Sequence, residues 1–258
     1  MNYREQMRLY SRRNINHDVV INSNKVKKIS QTYNANVKIS QIFQDKCWAE
    51  KRVFIIGGGT SLQGFDFNLL KNEVTLGINK AFEHCSFLTA NYSMDVRFYL
   101  DIKARKLEEY AKIEVFERWR AFTGVRIFLT PIAFQQFGND VCLVRRCDVR
   151  EIKHSIDQGI YAGHNSATGA LMLAATLGAK KIYLLGYDMK TANGKTHWHE
   201  GYANRDVGLF EAKLRSYTEE LNLVSPLLAL KGIKVINLNR DSALKAFAFG
   251  DLETVLKE

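Results

Sequence analysis

The sequence is short of the residues that define several classes of protein. Its 2 prolines and 17 glycines among 258 residues exclude a collagen-like or low-complexity chain. Its 4 cysteines include no C-x-x-C pair, so their spacing supports neither a zinc ribbon nor a disulfide framework. No apolar run approaches the ~18–20 residues that span a bilayer, and the first residues lack the apolar core of a secretory signal. We therefore expect a cytoplasmic protein without a membrane partner.

Acidic residues are also few relative to basic ones, since 37 Lys and Arg face 27 Asp and Glu and give a net charge of +10. Residues 1–50 hold nine basic and four acidic residues, which is half of the excess. We interpret residues 1–46 as a basic, partly helical N-terminal extension and residues 47–258 as the catalytic domain. The extension would be an oligomerisation arm, a nucleic-acid-binding arm or a lid. Its charge favours phosphate-bearing partners, although a solvated surface that aids solubility explains it equally well.

Short apolar runs that stop at glycine or polar residues recur from Arg52 onward. Such runs are typical of strands in the middle of a parallel sheet that is covered by helices on both faces. The predicted strands are 53–56, 74–78, 87–92, 125–129, 181–185 and 233–238, and the predicted helices are 100–119, 168–177, 209–223 and 242–247. Residues 134–160 are either an inserted subdomain or loops near the site. The alternation predicts a Rossmann-like, doubly wound α/β fold with a mainly parallel sheet.

A glycine-rich bend follows the first of these strands. Gly57, Gly58 and Gly59 would let the backbone approach a phosphate, Thr60 and Ser61 would donate hydrogen bonds, and a following helix would present its positive end. The sixth position is not glycine and no Gly-Lys-Ser/Thr follows, which argues against a dinucleotide fingerprint and a Walker A loop. The alternative is a tight strand-to-helix turn without a ligand.

Polar residues also stand at the other strand ends, where ligands bind in open parallel sheets. Asn165 and Ser166 are predicted to form the N-cap of the helix over 168–177. The remaining polar residues at strand ends are Asn79, Ser93, Asp95, Thr130 and Asp188.

Two histidines, His197 and His199, lie in the segment Thr196-His197-Trp198-His199-Glu200. Histidine is the side chain best suited to proton transfer near neutral pH. The pair would act as base and orienter, or would ligate a metal together with Asp188. The alternative is a pair of solvated loop histidines beside a packed tryptophan.

Five segments together resemble a known family. They are VFIIGGGTSLQGFDFNLL, LGINKAF, YSMD, NSATGALMLAATLGAKKIYLLGYDM and THWH. The combination resembles bacteriophage or prophage proteins of the DUF115 type, which are similar to the MptE-like 6-hydroxymethylpterin diphosphokinases and to the glycosyltransferase family 42 sialyltransferases. The likeness covers roughly residues 52–257 and is patchy between about 100 and 160.

The resemblance implies roles for individual residues. The bend from Gly57 to Ser61 would wrap the donor phosphates, and Asn79 and Ser166 would contact the nucleotide. Asp188 would close a Gly-x-Asp turn. The base would be His199, with His197 as the alternative. This chain has Met189-Lys190 where the sialyltransferases place a tyrosine, so Lys190 would neutralise the departing phosphate.

Three functions follow as hypotheses. The first is a nucleotide-dependent transferase, most simply a glycosyltransferase with a nucleotide-sugar donor and no firmly implied cofactor. The second is an MptE-like ATP-dependent diphosphokinase, which would need Mg²⁺ held by residues such as Asp95, Asp101 and Asp188. The third is a non-catalytic phage protein for assembly or nucleic-acid binding. The expected partners are a nucleotide or nucleotide sugar, a nucleic acid at the basic arm, and a second copy of the chain.

Overall fold

The computed structural model describes residues 37–104, 113–130, 137–138, 140–199 and 206–258. Within these ranges ten strands form one sheet, and every strand pair in it is parallel. The strands are β1 (Val37–Lys38), β2 (Arg52–Ile56), β3 (Val74–Ile78), β4 (Ala90–Ser93), β5 (Val125–Thr130), β6 (Cys142–Cys147), β7 (Ile160–Tyr161), β8 (Lys181–Leu185), β9 (Lys234–Asn237) and β10 (Ala248–Phe249).

The strand order places a switch point in the middle of the sheet. The order is β1-β6-β5-β4-β3-β2-β8-β9-β10, with β7 beside β6. From β2 the chain therefore builds the sheet in one direction as far as β6, and it then returns to place β8 on the other side of β2. Loops after β2 and β8 diverge at such a point and leave a crevice where ligands bind.

Helices cover both faces of the sheet because β2 sends alternate apolar side chains to opposite sides. Val53 and Ile55 belong to one core cluster, and Phe54 and Ile56 belong to the other. The helices are α1 (Val96–Ala104), α2 (Ile113–Ala121), α3 (Ser166–Thr176), α4 (Val207–Leu230) and α5 (Leu252–Leu256). Helices α3 and α4 pack on the first face, and α1, α2 and α5 on the second. Across the described ranges, no helix has the length and hydropathy that a bilayer crossing requires.

The predicted Rossmann-like α/β fold is confirmed, and α3 is its clearest element. Asn165 accepts a hydrogen bond from the Thr168 amide at 2.8 Å, as expected of an N-cap. The helix interior is small and apolar, so it is buried nearly all round. Gly178 ends it with φ +97°, a conformation that side chains other than glycine rarely adopt.

Four local predictions need correction. A single 3-10 turn, Thr60–Leu62, follows the glycine bend instead of an α-helix. Residues 242–247 form no helix. The stretch 134–160, where it is described, contributes β6 and β7 to the sheet rather than a separate subdomain. The sheet also begins earlier than expected, because β1 pairs with β6 and Val37, Ile39, Ile42 and Phe43 are buried. Residues 1–36 of the predicted extension lie outside the described residues.

Candidate functional site

A cleft of about 440 Å³ opens at the switch point, at the carboxyl edge of the sheet. It is lined from the ends of β2, β3, β4 and β8, from the start of α3 and from one face of α4. Ten of the thirteen predicted site residues line it: Gly57, Gly58, Gly59, Asn79, Asp95, Asn165, Ser166, Asp188, Lys190 and His197. Thr60, Ser61 and His199 do not.

The glycine bend is held by its own protein contacts more than we expected from the sequence. The Gly57 amide donates to the Leu185 carbonyl at 2.8 Å, and the Gly59 amide donates to the Gly186 carbonyl at 2.8 Å. The Ser61 amide donates to Asp188 at 2.7 Å. The amides of Gly57, Gly59 and Ser61 are therefore bonded to protein acceptors, and phosphate binding by the bend stays a prediction.

The hydroxyl groups of Thr60 and Ser61 donate hydrogen bonds to Asp188 and not to the cleft. The Asp188 carboxylate accepts from the Ser61 hydroxyl at 2.6 Å and from the Thr60 hydroxyl at 3.3 Å, in addition to the Ser61 amide. Asn239, beyond β9, donates to it at 2.9 Å. The residue is only 2% exposed. Since its oxygens are occupied, Asp188 joins the ends of β2, β8 and β9 and is not placed to act as a base.

The start of α3 supplies the helix N-terminus that the glycine bend lacks. Asn165 is 4% exposed and lines the cleft, and its side-chain nitrogen Nδ2 is buried without a hydrogen-bond partner among the described residues. Ser166 and Ala167 also line the cleft and stand in the first turn, where backbone amides have no partner within the helix. Unpaired amides and the positive end of an eleven-residue helix favour an anion at this position.

Asn79 connects β3 to the same corner of the cleft. It has φ +52°, a left-handed conformation that asparagine tolerates better than most residues. Its carbonyl accepts from the Asn91 side chain at 2.9 Å. Its side-chain oxygen lies 3.5 Å from the Ser166 hydroxyl, which also accepts from the Met94 amide at 3.4 Å. Asn79 and Ser166 therefore lie side by side in the cleft, and their predicted contact with a nucleotide stays a prediction.

Of the two histidines considered as the base, His197, the alternative, lines the cleft and His199 does not. The His197 ring lies against Gly58 so closely that a Cβ there would come within 2.7 Å of its Cδ2. Trp198 fixes this position, since its amide donates to the Gly58 carbonyl at 3.2 Å and its indole N–H donates to the Gly57 carbonyl at 3.0 Å. Trp198, the next residue in the chain, therefore holds His197 against the glycine bend.

His199 does not line the cleft and belongs to an aromatic cluster, in which its ring centroid lies 5.3 Å from that of His197. The same centroid lies 5.1 Å from that of Trp198 and 6.0 Å from that of His84. Burial, together with the charges of Arg118 and Lys80, lowers the pKa of His84. The preference for His199 over His197 as the base, which rested on the family resemblance, is therefore not supported by the geometry.

The ionisable side chains of the cleft are two aspartates, one lysine and two histidines: Asp95, Asp188, Lys190, His164 and His197. Lys190 and His164 are exposed. One carboxylate oxygen of Asp95 accepts from the Arg97 amide at 2.9 Å. Asp101 does not line the cleft. In the part of the chain that the structure describes, no three His, Cys, Asp or Glu side chains are grouped so as to hold a metal.

Sequence reasoning missed the apolar wall of the cleft. Phe210, Leu214 and Tyr217 of α4 line it, together with Ile78, Met94 and Met189. The three α4 residues are spaced four and three apart, so they share one helix face. The same spacing is typical of ordinary core packing, so nothing in the sequence distinguished this face from a core face.

A comparison with solved structures finds a similar chain described as the MAf glycosyltransferase from Magnetospirillum magneticum AMB-1. The TM-score is 0.48 and the sequence identity is 11%, over 88% of this chain and 38% of that one. This chain thus spans well under half of that protein, and a similarity of this size carries no functional argument. Neither the models of known families nor the curated proteins contain a match.

Proposed function

We propose that the protein is a nucleotide-dependent glycosyltransferase that uses a nucleotide-sugar donor. The observation that carries this proposal is the convergence of Asn79, the start of α3 and His197 on one cleft at the switch point of the sheet. A nucleotide-binding site and a proton acceptor are then within reach of the same ligand. The sequence resemblance to the family 42 sialyltransferases points to the same class of reaction.

The donor phosphates would lie at the start of α3. The amides of the first turn and the hydroxyl of Ser166 would bind them, with the Gly58 amide and Lys190 as further donors. This placement supports catalysis as well as binding, because negative charge grows on the phosphate oxygen as the sugar departs. A fixed helix end and a lysine stabilise that charge without reorganisation during the reaction.

The apolar wall of α4 gives the rest of the donor a surface to pack against. Tyr217 and Phe210 present rings to the cleft, and a nucleobase or the apolar face of a sugar would lie there. Asp95 would accept hydrogen bonds from ribose or sugar hydroxyls. A polar wall for phosphates opposite an apolar wall for rings matches the two halves of a nucleotide.

His197 would be the general base. The acceptor hydroxyl oxygen forms a bond to the anomeric carbon of the sugar, and the bond from that carbon to the phosphate oxygen breaks. The phosphate keeps the electron pair, and the acceptor proton moves to His197. Such a base contributes roughly 10²- to 10⁴-fold to the rate.

Titration calorimetry with a panel of nucleotides and nucleotide sugars tests the binding half of the proposal. Ser166→Ala should weaken binding of the tightest nucleotide, whereas His154→Gln, an exposed histidine that does not line the cleft, should leave it unchanged. Slow hydrolysis of the bound nucleotide sugar, followed by mass spectrometry, tests the chemical half. His197→Gln should keep binding and lose at least a hundredfold in hydrolysis. Absence of binding by every nucleotide in the panel would overturn the proposal.

The two alternatives have less support. A diphosphokinase needs carboxylates for Mg²⁺, yet Asp188 is already occupied by protein donors and Asp101 does not line the cleft. Magnesium dependence and release of AMP from ATP would revive it. A non-catalytic assembly protein would be expected to fill the cleft with side chains, whereas about 440 Å³ is open. Nucleic-acid binding by residues 1–46 and pairing with a second copy stay predictions.

A further inference from the structure

The segment that carries His197 is anchored on both sides. Before it, Ala192 and Lys195 exchange backbone hydrogen bonds of 3.2 and 2.9 Å around a turn in which Asn193 and Gly194 have positive φ. After it, Trp198 is bonded to the glycine bend. The intervening residue, Thr196, has no place in the function proposed above, although it lines the cleft.

Thr196 holds one nitrogen of the histidine ring. Its hydroxyl oxygen lies 2.9 Å from His197 Nδ1. The opposite edge of the ring, with Cδ2 and Nε2, faces Gly58, which also lines the cleft. A neutral imidazole has one protonated nitrogen, and the partner of one nitrogen decides which nitrogen accepts the next proton.

We propose that Thr196 is a positioning residue that sets the tautomer of His197. Its oxygen accepts a hydrogen bond from Nδ1–H, and Nε2 takes the proton from the acceptor hydroxyl. This inference rests on the proposed function, because it assigns the nitrogen that performs the step given there to His197. The proton on Nδ1 stays on the ring, and none passes to threonine.

The protonated state of the ring favours this direction of the hydrogen bond. Once Nε2 has accepted a proton, both ring nitrogens are donors. The threonine hydroxyl can then serve Nδ1 as an acceptor and not as a donor. The bond then becomes charge-assisted and stronger than in the neutral ring. The opposite arrangement, in which threonine donates to Nδ1, would have to break as the proton arrives.

Nitrogen-15 NMR of the histidine side chains tests the tautomer without any substrate. The uniformly labelled full chain is compared with Thr196→Val and Thr196→Ser at a pH where the ring is neutral, and His197→Gln assigns the signal. We expect the native protein and Thr196→Ser to carry the proton on Nδ1, and Thr196→Val to shift toward Nε2–H. A native ring protonated on Nε2, or a tautomer unchanged in Thr196→Val, would overturn the inference.

Kinetics with the donor found in the calorimetric panel give a second readout. Thr196→Val should lower kcat about fivefold, as expected for the loss of one hydrogen bond of about 1 kcal/mol, with the KM for the donor nearly unchanged. Thr196→Ser should restore most of kcat. An equal rise in KM with unchanged kcat would contradict a positioning role. If no variant turns over any donor, the proposed function fails, and the NMR result still decides the role of Thr196.

Discussion

The carboxylate of Asp188 accepts four hydrogen bonds from three residues that belong to two loops. Asp188→Asn keeps the shape but turns one acceptor oxygen into a donor that faces other donors. We expect a loss of about 2–3 kcal/mol in the free energy of unfolding, because hydrogen bonds to a buried charged group are broken. Urea denaturation measures it, with the exposed Asp241→Asn as the control. Equal midpoints for the two variants would mean that Asp188 does not brace the bend.

Asp188 also shows which features of the site could be predicted from the sequence and which could not. The strand ends were correctly identified as the places for polar side chains, and most of the predicted residues do line one cleft. Which of them bond to each other was not predictable, because the Ser61 and Asp188 pair joins positions far apart in the chain. Nor could the sequence show which of His197 and His199 lines the cleft, since that depends on how Trp198 packs against Gly58.

The N-cap residue of α3, Asn165, both stabilises the helix and lines the cleft. Asn165→Ala removes the acceptor for the Thr168 amide and should cost about 1 kcal/mol of stability. It also alters the start of α3, where Asn165 lines the cleft, so nucleotide binding should weaken. Asp251→Ala removes the same kind of cap from α5, which does not line the cleft. Calorimetry should therefore separate the two variants, and equal nucleotide affinities would contradict an anion site at the start of α3.

Helices α1 and α2 are joined to β5 through Asp140. Burial works against its charge, but the indole N–H of Trp119 and the nearby cations Lys103 and Arg126 hold the pKa of Asp140 below its ordinary value of 3.8. A lowered pKa in the folded state stabilises the fold above the ordinary value, and this contribution is lost as the pH falls through the folded value. Urea midpoints from pH 5 down to pH 2 should therefore fall less steeply in Asp140→Asn than in the native protein.

The exposed Asp157→Asn is the control for that series and should follow the native curve. If the urea midpoint of Asp140→Asn falls as steeply with pH as that of the native protein, carboxylates other than Asp140 cause the loss of stability in acid. Arg126 is the buried partner in this group, and burial lowers its pKa to about 10.

Elements were predicted well where the local signal was strong. The all-apolar runs of β2, β3 and β8 became central strands, and the capped apolar segment became α3. The prediction failed where tertiary contacts override a weak pattern. Residues 142–147, CLVRRC, end in charges and read poorly as a strand, yet β6 is paired on both sides by β5 and β1. Helix α4 continues past the predicted end at residue 223 and contains Pro226. A proline inside a helix removes one backbone hydrogen bond, so the sequence argued against this extension.

For the whole molecule, the net charge of +10 attracts a nucleotide at long range. This attraction adds to the local attraction by Lys190 at the cleft. Charges beyond about 10 Å are screened at 0.1 M salt, whereas contacts within about 3 Å persist to 1 M. The dissociation constant of the tightest nucleotide should therefore rise roughly tenfold between 0.02 and 0.5 M NaCl. Its unphosphorylated nucleoside, which makes no phosphate contacts, should bind with little salt dependence.

Lys190→Gln distinguishes the local contribution from that of the whole molecule. If Lys190 contacts the phosphates, its loss should weaken nucleotide binding at every salt concentration and flatten the dependence, because one close charge is gone. Lys257→Gln changes the net charge by the same amount at an exposed position that does not line the cleft and should leave the dependence nearly native. Identical salt curves for the two variants would show that the overall charge, and not the cleft, attracts the nucleotide. That result would remove Lys190 from the proposed phosphate site.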